Sequence, residues 1–349
     1  MEDRLRRLLE QGAEGFHMSA VAPARVLRRA RVRMVLMGGV AAALLLAVAA
    51  GVFYGASALI DRSPSTPPAK RQQDAALVGR IAFERGVPGR SFPQIYVMDA
   101  DGTDVLQLTR SALGNGEPAW SPDGSAIAFV SQRDNNPEIY VMASDGSNQR
   151  RLTRSEQPGP EAGDFSPAWS PDGARIAFMS YREGQGDIFV MRSDGSDQAR
   201  VTSTPHLEDA PAWSPDGTKL AFNRPGPNFD VDIYTILLDG SGLTRLTTSG
   251  KQELLPAWSP DGSMIAFLRY RTGRTPAGIF VMNADGGNVR ELVTDVSHEY
   301  GPTWSPDGKR IAFVRQGDIY NVGIDGSGLS KLTGGPSEDA APDWGRGTR

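Results

Sequence analysis

Pro118-Ala-Trp-Ser-Pro-Asp-Gly124, followed by Ile127-Ala-Phe129, decides the fold because it recurs. Pro167-Ala-Trp-Ser-Pro-Asp-Gly173 leads to Ile176-Ala-Phe178, and Pro211-Ala-Trp-Ser-Pro-Asp-Gly217 to Leu220-Ala-Phe222. Pro256-Ala-Trp-Ser-Pro-Asp-Gly262 leads to Ile265-Ala-Phe267, and Pro302-Thr-Trp-Ser-Pro-Asp-Gly308 to Ile311-Ala-Phe313. The copies stand 44 to 49 residues apart, a period that belongs to propeller blades.

Each unit reads as four short strands. The first ends at the Trp. Ser-Pro-Asp-Gly turns the chain, Pro presetting φ and Gly supplying the left-handed residue. Ile-Ala-Phe is the second strand. The third is aromatic and β-branched, as in Ile139-Tyr-Val-Met142 and Ile188-Phe-Val-Met191. An Asp-Gly turn follows, and a fourth strand such as Arg151-Leu-Thr153 or Lys331-Leu-Thr333 closes the unit. A sheet this small cannot bury its two apolar faces alone, and stacking units in a ring buries both. A Trp in that wedge hides ~150–250 Å², worth at most ~4–6 kcal/mol.

The ends of the chain set the number of blades. Before the first full unit come a second, third and fourth strand only: Ile81-Ala-Phe83, Ile95-Tyr-Val-Met98 and Leu106-Gln-Leu-Thr109. After the last comes a first strand only, Pro342-Asp-Trp344. The fragments complement each other. The expected fold is therefore all-β, a six-bladed β-propeller over residues 78–349, closed by its terminal strand so that no sheet edge is left open. A monomer is expected.

Upstream, residues 1–33 are polar and basic, with Leu5, Leu8, Leu9 and Phe16 at loose helical spacing. They are expected to form a cytoplasmic tail, read either as a frayed end or as a docking helix for a cytoplasmic partner. Met34 to Ile60 is apolar and uncharged. At 1.5 Å per residue it reaches ~40 Å, more than the ~30 Å hydrocarbon core, so a single transmembrane helix is expected over 34–60. Arg25, Arg28, Arg29, Arg31 and Arg33 precede it and hold the N-terminus in the cytoplasm. A cleaved signal peptide competes, since Ala56-Ser57-Ala58 resembles a cleavage site, but the apolar run is long for a signal core. Residues 61–77, with Ser63-Pro-Ser-Thr-Pro-Pro68, read as a semi-extended linker. The chain has no Cys, which excludes disulfides and thiol chemistry. Tail and linker carry about +5, so with −4 overall the propeller carries roughly −9. That excludes a nucleic-acid footprint and favours cationic or neutral partners.

The whole unit, from Pro-Ala-Trp-Ser-Pro-Asp-Gly through Ile-Ala-Phe, Ile-Tyr-Val-Met and Asp-Gly to Leu-Thr, resembles the repeat of the TolB β-propeller, also called the PD40 or WD40-like repeat. The resemblance covers Val78 to the C-terminus. It implies a binding or sensing module of the bacterial cell envelope. TolB carries an α/β domain ahead of its propeller; here a membrane anchor and short tail are expected in its place. The better comparison is with membrane-tethered TolB-like propellers, and the expected location is the bacterial cell membrane, single-pass, with the propeller extracytoplasmic.

One pattern lies outside the core. Asp164, Glu208, Glu253, Glu299 and Asp339 each stand five residues before their blade's Trp; the remaining blade has Asn115 there and Glu117 two residues on. These acids are expected to ring one mouth of the channel. Two readings stand: a site for a cation such as Ca²⁺ or a basic group of a partner, or caps on the connections between blades. His206 and His298 lie close to Glu208 and Glu299 but read as exposed loop residues. Asp99-Ala-Asp-Gly-Thr-Asp104 lacks the EF-hand spacing. Ser121, Ser170, Ser214, Ser259 and Ser305 belong to the repeating turn, with no nucleophile elbow around them. The loops between second and third strands differ from blade to blade and share one face, where recognition commonly sits. Arg90, Phe92, Arg224, Phe229, Arg269 and Arg274 are the candidate anchors there.

The reading is a membrane-tethered extracytoplasmic propeller that binds a protein, peptide or other ligand as scaffold or sensor. The alternatives are an extracytoplasmic hydrolase or lyase with a cation at the channel, and an envelope tether that binds cell-wall polymer. No catalytic motif is found.

Overall fold

The computed structural model describes residues 77–347, apart from 87–91, 156–162, 227–229, 273–274 and 297–299. The expected tail, transmembrane helix and nearly all of the linker lie outside the described residues. Blade I contains β1 (Arg80–Arg85), β2 (Gln94–Asp99) and β3 (Leu106–Gln107). Blade II is β4 (Asn115–Trp120), β5 (Ala126–Ser131), β6 (Glu138–Ala143) and β7 (Arg150–Arg151). Blade III is β8 (Asp164–Trp169), β9 (Arg175–Ser180), β10 (Asp187–Arg192) and β11 (Ala199–Arg200). Blade IV is β12 (Asp209–Trp213), β13 (Lys219–Pro225), β14 (Val231–Leu237) and β15 (Thr244–Arg245). Blade V is β16 (Glu253–Trp258), β17 (Met264–Thr272), β18 (Thr275–Asn283) and β19 (Arg290–Val296). Blade VI is β20 (Thr303–Trp304), β21 (Arg310–Arg315), β22 (Asp318–Gly323) and β23 (Ser330–Lys331).

The last strand, β24 (Asp339–Gly345), joins blade I, giving the order β24-β1-β2-β3. Ile81 pairs with Trp344 and Arg85 with Asp339. The ring is a six-bladed propeller closed by its C-terminal strand, as the complementary chain ends predict.

Each Ser-Pro-Asp-Gly turn holds its glycine at positive φ, 69° to 74° at Gly124, Gly173, Gly217, Gly262 and Gly308. The Ser hydroxyl stabilises the turn: Ser121 Oγ donates to Asp123 at 2.6 Å and accepts from Ala126 N at 2.9 Å. These serines are therefore turn residues, as read. The Phe of every Ile-Ala-Phe is fully buried. Each faces the aromatic of its third strand, with Phe129–Tyr140 and Phe178–Phe189 centroids 5.8 Å apart. Blades are tied through the Trp indoles: Trp169 and Trp213 Nε1 donate to the Ala119 and Ala168 carbonyls of the preceding blade at 3.2 and 3.0 Å. All six Trp residues border the channel, and of them Trp169 and Trp258 are half-buried and the others buried.

The fourth strand is shorter than its sequence suggests. In blades I to IV and VI it has two residues, and the Leu-Thr after it, Val201-Thr202 in blade III, leaves the regular ladder. The Thr hydroxyl takes over, accepting the N–H of the third-strand Ile: Ile139 to Thr153 at 3.0 Å, Ile188 to Thr202 at 2.9 Å. Blade V has Val293 at this place, and its ladder runs on with Val293 opposite Ile279. Thr202→Val should therefore cost about 1–3 kcal/mol by orphaning the Ile188 N–H. Urea unfolding measures it, and a midpoint equal to wild type would refute the role given to the hydroxyl.

Candidate functional site: the central channel

A blade's faces look at neighbouring blades; the channel sees the edge of each first strand. In five of the six blades the first strand bulges three residues before the Trp, where an extra residue interrupts the pairing. In blade III the register slips between Phe165 and Ala168. The bulged residues Glu117, Ser166, Ala210, Leu255 and Ala341 have φ of 51°, 53°, 55°, 57° and 45°. A positive φ costs a non-glycine residue about 1–2 kcal/mol, so the surroundings must hold it. They do so through the freed N–H groups: Glu117 N donates to Glu84 Oε1 (2.8 Å), Ser166 N to Glu117 Oε2 (2.6 Å) and Leu255 N to Asn223 Oδ1 (3.2 Å). Each acceptor belongs to the preceding blade, so these bonds run around the channel wall.

The wall encloses a cavity of about 820 Å³ lined by the six Pro-x-Trp segments and their turns. Its charged lining is Glu117, Asp123, Asp172, Asp343 and Arg346. The hydroxyls of Ser121 and Ser170, then the backbone N–H groups of Ser125 and Ala174, hold Asp123 and Asp172 below the usual carboxylate range. Both remain ionised at neutral pH. Asp343 replaces the Ala or Thr that precedes Trp in the other repeats. Its Oδ2 accepts the Trp120 N–H of blade II at 2.7 Å and its Oδ1 the Thr303 hydroxyl of blade VI at 3.3 Å. Burial pushes its carboxyl up, against the pull of the Trp120 N–H.

The predicted acidic ring is built differently from its expectation. Asp164, Glu208 and Glu253 are fully buried and Asp339 nearly so, and none lines the cavity. Both faces of a blade look at its neighbours, and the bulge decides which of them the acid takes. Five residues of regular strand would set acid and Trp on opposite faces. With one extra residue, Asp164 pairs with Ser180 and Trp169 with Ile176, both on the face that carries Phe178. Each acid meets an arginine from the end of its own second strand. Arg182 Nη2 is 3.0 Å from Asp164 and Arg224 Nε 3.8 Å from Glu208. Arg269 Nε donates to Glu253 at 2.6 Å, and Arg85 grips Asp339 through two bonds of 2.7 and 2.9 Å. The guanidinium then lies over the aromatic pair, as Arg182 does 4.8 Å from the Phe189 centroid. These carboxylates are thus neutralised inside their blades. Glu117 alone of the predicted set reaches the channel lining, as an acceptor for Ser166. Glu299 and His298 lie outside the described residues.

Two of the predicted loop anchors, Arg224 and Arg269, are the arginines of these ion pairs, committed to Glu208 and Glu253 and to rings of their own blades. Phe92 is half-buried beside Gly114. Arg90, Phe229 and Arg274 lie outside the described residues. Among the described residues, no group of three or more His, Asp or Glu side chains is placed to hold a metal ion. The sequence reading missed Glu84, Asp343 and Asp209, whose Oδ1 accepts the Ser166 hydroxyl of the preceding blade at 3.0 Å. Asp343 carried a signal, since it breaks the repeat at a fixed position.

Compared with known proteins, residues 85–164 and 144–346 match the family model described as PD40, TolB beta propeller domain. Among solved structures, TolB from Acinetobacter baumannii is similar at 24% identity and TM-score 0.67, over 77% of this chain and 67% of that one. Putative TolB from Agrobacterium tumefaciens is similar at 22% and 0.57, over 73% and 89%. A chain of a nidogen/laminin complex is similar at 13% and 0.58, over 76% and 97%. At these identities the structures show a shared fold.

Proposed function

Because this chain belongs to the family of TolB β-propeller domains, a fold that implies a protein-binding module, we propose that its channel receives an extended, cationic stretch of a partner protein. The charge of the channel lining carries the proposal: among the described residues the carboxyls of Glu117, Asp123 and Asp172 stand against one guanidinium, Arg346, with the buried Asp343 carboxyl held by its own hydrogen bonds. Low-dielectric walls focus such a field on an entering cation. Prolines and indoles around the cavity suit an extended chain, which they contact without asking for its sequence. The bulge N–H groups of Glu117, Ser166 and Leu255 are already bonded to the preceding blade, which pre-forms the wall and keeps the ordering cost of entry low.

The setting proposed with it is the cell envelope. The basic segment 1–33 stays in the cytoplasm, Met34 to Ile60 crosses the membrane, and residues 61–77 space an extracytoplasmic propeller from the bilayer. The partner is an extracytoplasmic protein or peptide.

The test uses full-length protein and a fluorescent peptide of alternating lysine and alanine, read by anisotropy. Binding should weaken steeply with salt. Ala168 and Ala257 line the cavity, and filling it with Ala168→Phe and Ala257→Phe together should weaken binding about tenfold or more, the ~1.4 kcal/mol of a few lost contacts. A filled channel that binds the lysine peptide as wild type does, or equal binding of a glutamate–alanine peptide, would refute the proposal.

A further inference from the structure

At the junction between blades I and II the side chains at the start of one blade's third strand and the next blade's first strand touch directly. Asn115 Nδ2 donates to Gln94 Oε1 at 3.0 Å. At the junction between blades IV and V the same two places hold Asp232 and Glu253, both fully buried. A third carboxyl, Asp230, lies beside them and is 7% exposed. Between them runs a backbone stitch, an isolated parallel bridge from Val231 of blade IV to Gln252 of blade V.

Among the described residues, the cations at this junction are too few. Arg269 is committed to Glu253. Arg245 alone serves both other acids, its Nη2 lying 2.6 Å from Asp232 Oδ2 and 3.3 Å from Asp230 Oδ2. Other buried junction acids have a cation each, such as Asp164 with Arg182 and Asp187 with Arg200. Arg151 also meets two acids, but its second partner, Asp134, is 46% exposed and hydrated. Asp230 has no such escape. Its Oδ1 is buried without a hydrogen-bond partner among the described residues, as is Glu253 Oε2. A Cβ on Gly226 would lie 2.5 Å from Asp230 Oδ1 and 3.0 Å from Asp232 Oδ2, so these two oxygens converge on one small niche.

We propose that the junction between blades IV and V is a proton-operated latch: one proton held between Asp230 and Asp232 in acid keeps the Val231–Gln252 stitch closed, and its loss towards alkaline pH loosens this junction while the neutral Gln94–Asn115 junction holds.

Three buried carboxylates with two guanidiniums leave one uncompensated negative charge, and a buried unpaired charge is expelled or protonated. Burial first, then the Asp230 and Glu253 charges, push Asp232 up to about 6 against the pull of Arg245. The remaining groups facing it do not supply the missing charge. Thr247 donates a neutral hydroxyl towards Asp232 and Ser249 one to Glu253. Tyr234 acts on Arg245, Arg224 is turned to Glu208, and Lys251 is exposed. The sign follows from linkage. A carboxyl raised in the closed state stabilises that state fully below its unfolded value, and the stabilisation is lost as pH rises through the closed-state value.

Amide hydrogen exchange of the full-length protein, read by mass spectrometry and corrected for intrinsic rates, tests the latch. For a carboxyl moving from about 6 when closed to about 3.9 when open, peptides over 231–233 and 252–254 should open about tenfold more at about pH 7.5 than at about pH 5. The neutral Gln94–Asn115 junction should not change. Asp230→Asn removes the excess charge and should flatten the response while matching wild-type protection at low pH. Asp232→Asn mimics the protonated state and should stay protected at both. No pH response in wild type, an equal response at the Gln94–Asn115 junction, or a response that survives Asp230→Asn would each overturn the proposal. So would full protection restored at the higher pH by added Ca²⁺ and removed by chelator, since a metal and not a proton would then meet the charge.

Discussion

Gly345→Ser should destabilise the propeller by about 3 kcal/mol or more, above the usual range for an overpacked core. Ser is the residue that follows Trp in the other five repeats, at 121, 170, 214, 259 and 305. A change towards the consensus of a repeat normally stabilises. At the closure the geometry reverses that rule. A Cβ on Gly345 would lie 2.4 Å from Trp120 Cγ and 2.5 Å from Trp120 Cβ. Trp120 is 5% exposed in the core of blade II and cannot yield. The strand that must move is β24, which holds blade I shut and carries the buried Trp344. Losing that indole from the wedge alone forfeits ~4–6 kcal/mol at ~25 cal/mol per Å². The other repeats tolerate Ser because the chain turns there through Pro-Asp-Gly. After Gly345 it runs straight on past blade II, and Gly124 approaches the Gly347 backbone so closely that a Cβ would lie 2.7 Å from its nitrogen. Urea unfolding of Gly345→Ser reads the effect. A midpoint at or above wild type would mean that β24 does not seal the ring through this contact.

That contact also marks where sequence reading ends. The number of blades, the closing strand, and the course of the first three strands follow from local chemistry repeated: Pro-Asp-Gly for the turn, alternating aromatics for the strand. Position along a strand is a matter of counting, and the repeats count well. The candidate site failed on a single uncounted residue. The bulge at Ser166 adds one to the tally between Asp164 and Trp169, and that step puts the acid on the same face of the blade as the Trp, a face that looks at the neighbouring blade and not into the channel. Nothing in Asp-Phe-Ser-Pro-Ala-Trp announces a left-handed serine, since the usual signal, glycine, is absent from that place in all five bulged strands. Departures from the repeat were the better guide. Val293 in place of Thr lengthened a strand, and Asp343 in place of Ala tied three blades together. Asp230 escaped notice because its importance lies in sharing Arg245 with a neighbour, which no spacing reveals.

The buried ion pairs lead to an asymmetric pair of substitutions in blade III. Arg182→Met should cost about 3–5 kcal/mol, the range for stripping one partner from a buried ion pair. Asp164→Asn should cost under about 1 kcal/mol, little more than one exchanged hydrogen bond. Blade II already contains the second arrangement: Asn115 occupies the acid's place and Arg133 Nη2 donates to its Oδ1 at 3.2 Å. Burial lowers the Arg133 guanidinium there, yet it keeps other partners, with the Tyr140 ring 4.6 Å away and Gln149 Oε1 at 2.8 Å. Arg182 has the same supports, the Phe189 ring and Gln198 Oε1 at 2.6 Å, and its side chain is 21% exposed. It survives a neutral neighbour. Asp164 has no equivalent reserve: it is fully buried and its Oδ1 has no hydrogen-bond partner among the described residues. Without Arg182 its charge must be neutralised or the blade face must open to water, and either route costs more than losing the acid. Paired urea titrations at one pH separate the two. Equal losses for Asp164→Asn and Arg182→Met would show that the acid, and not the guanidinium over the aromatic pair, is what each blade is built around.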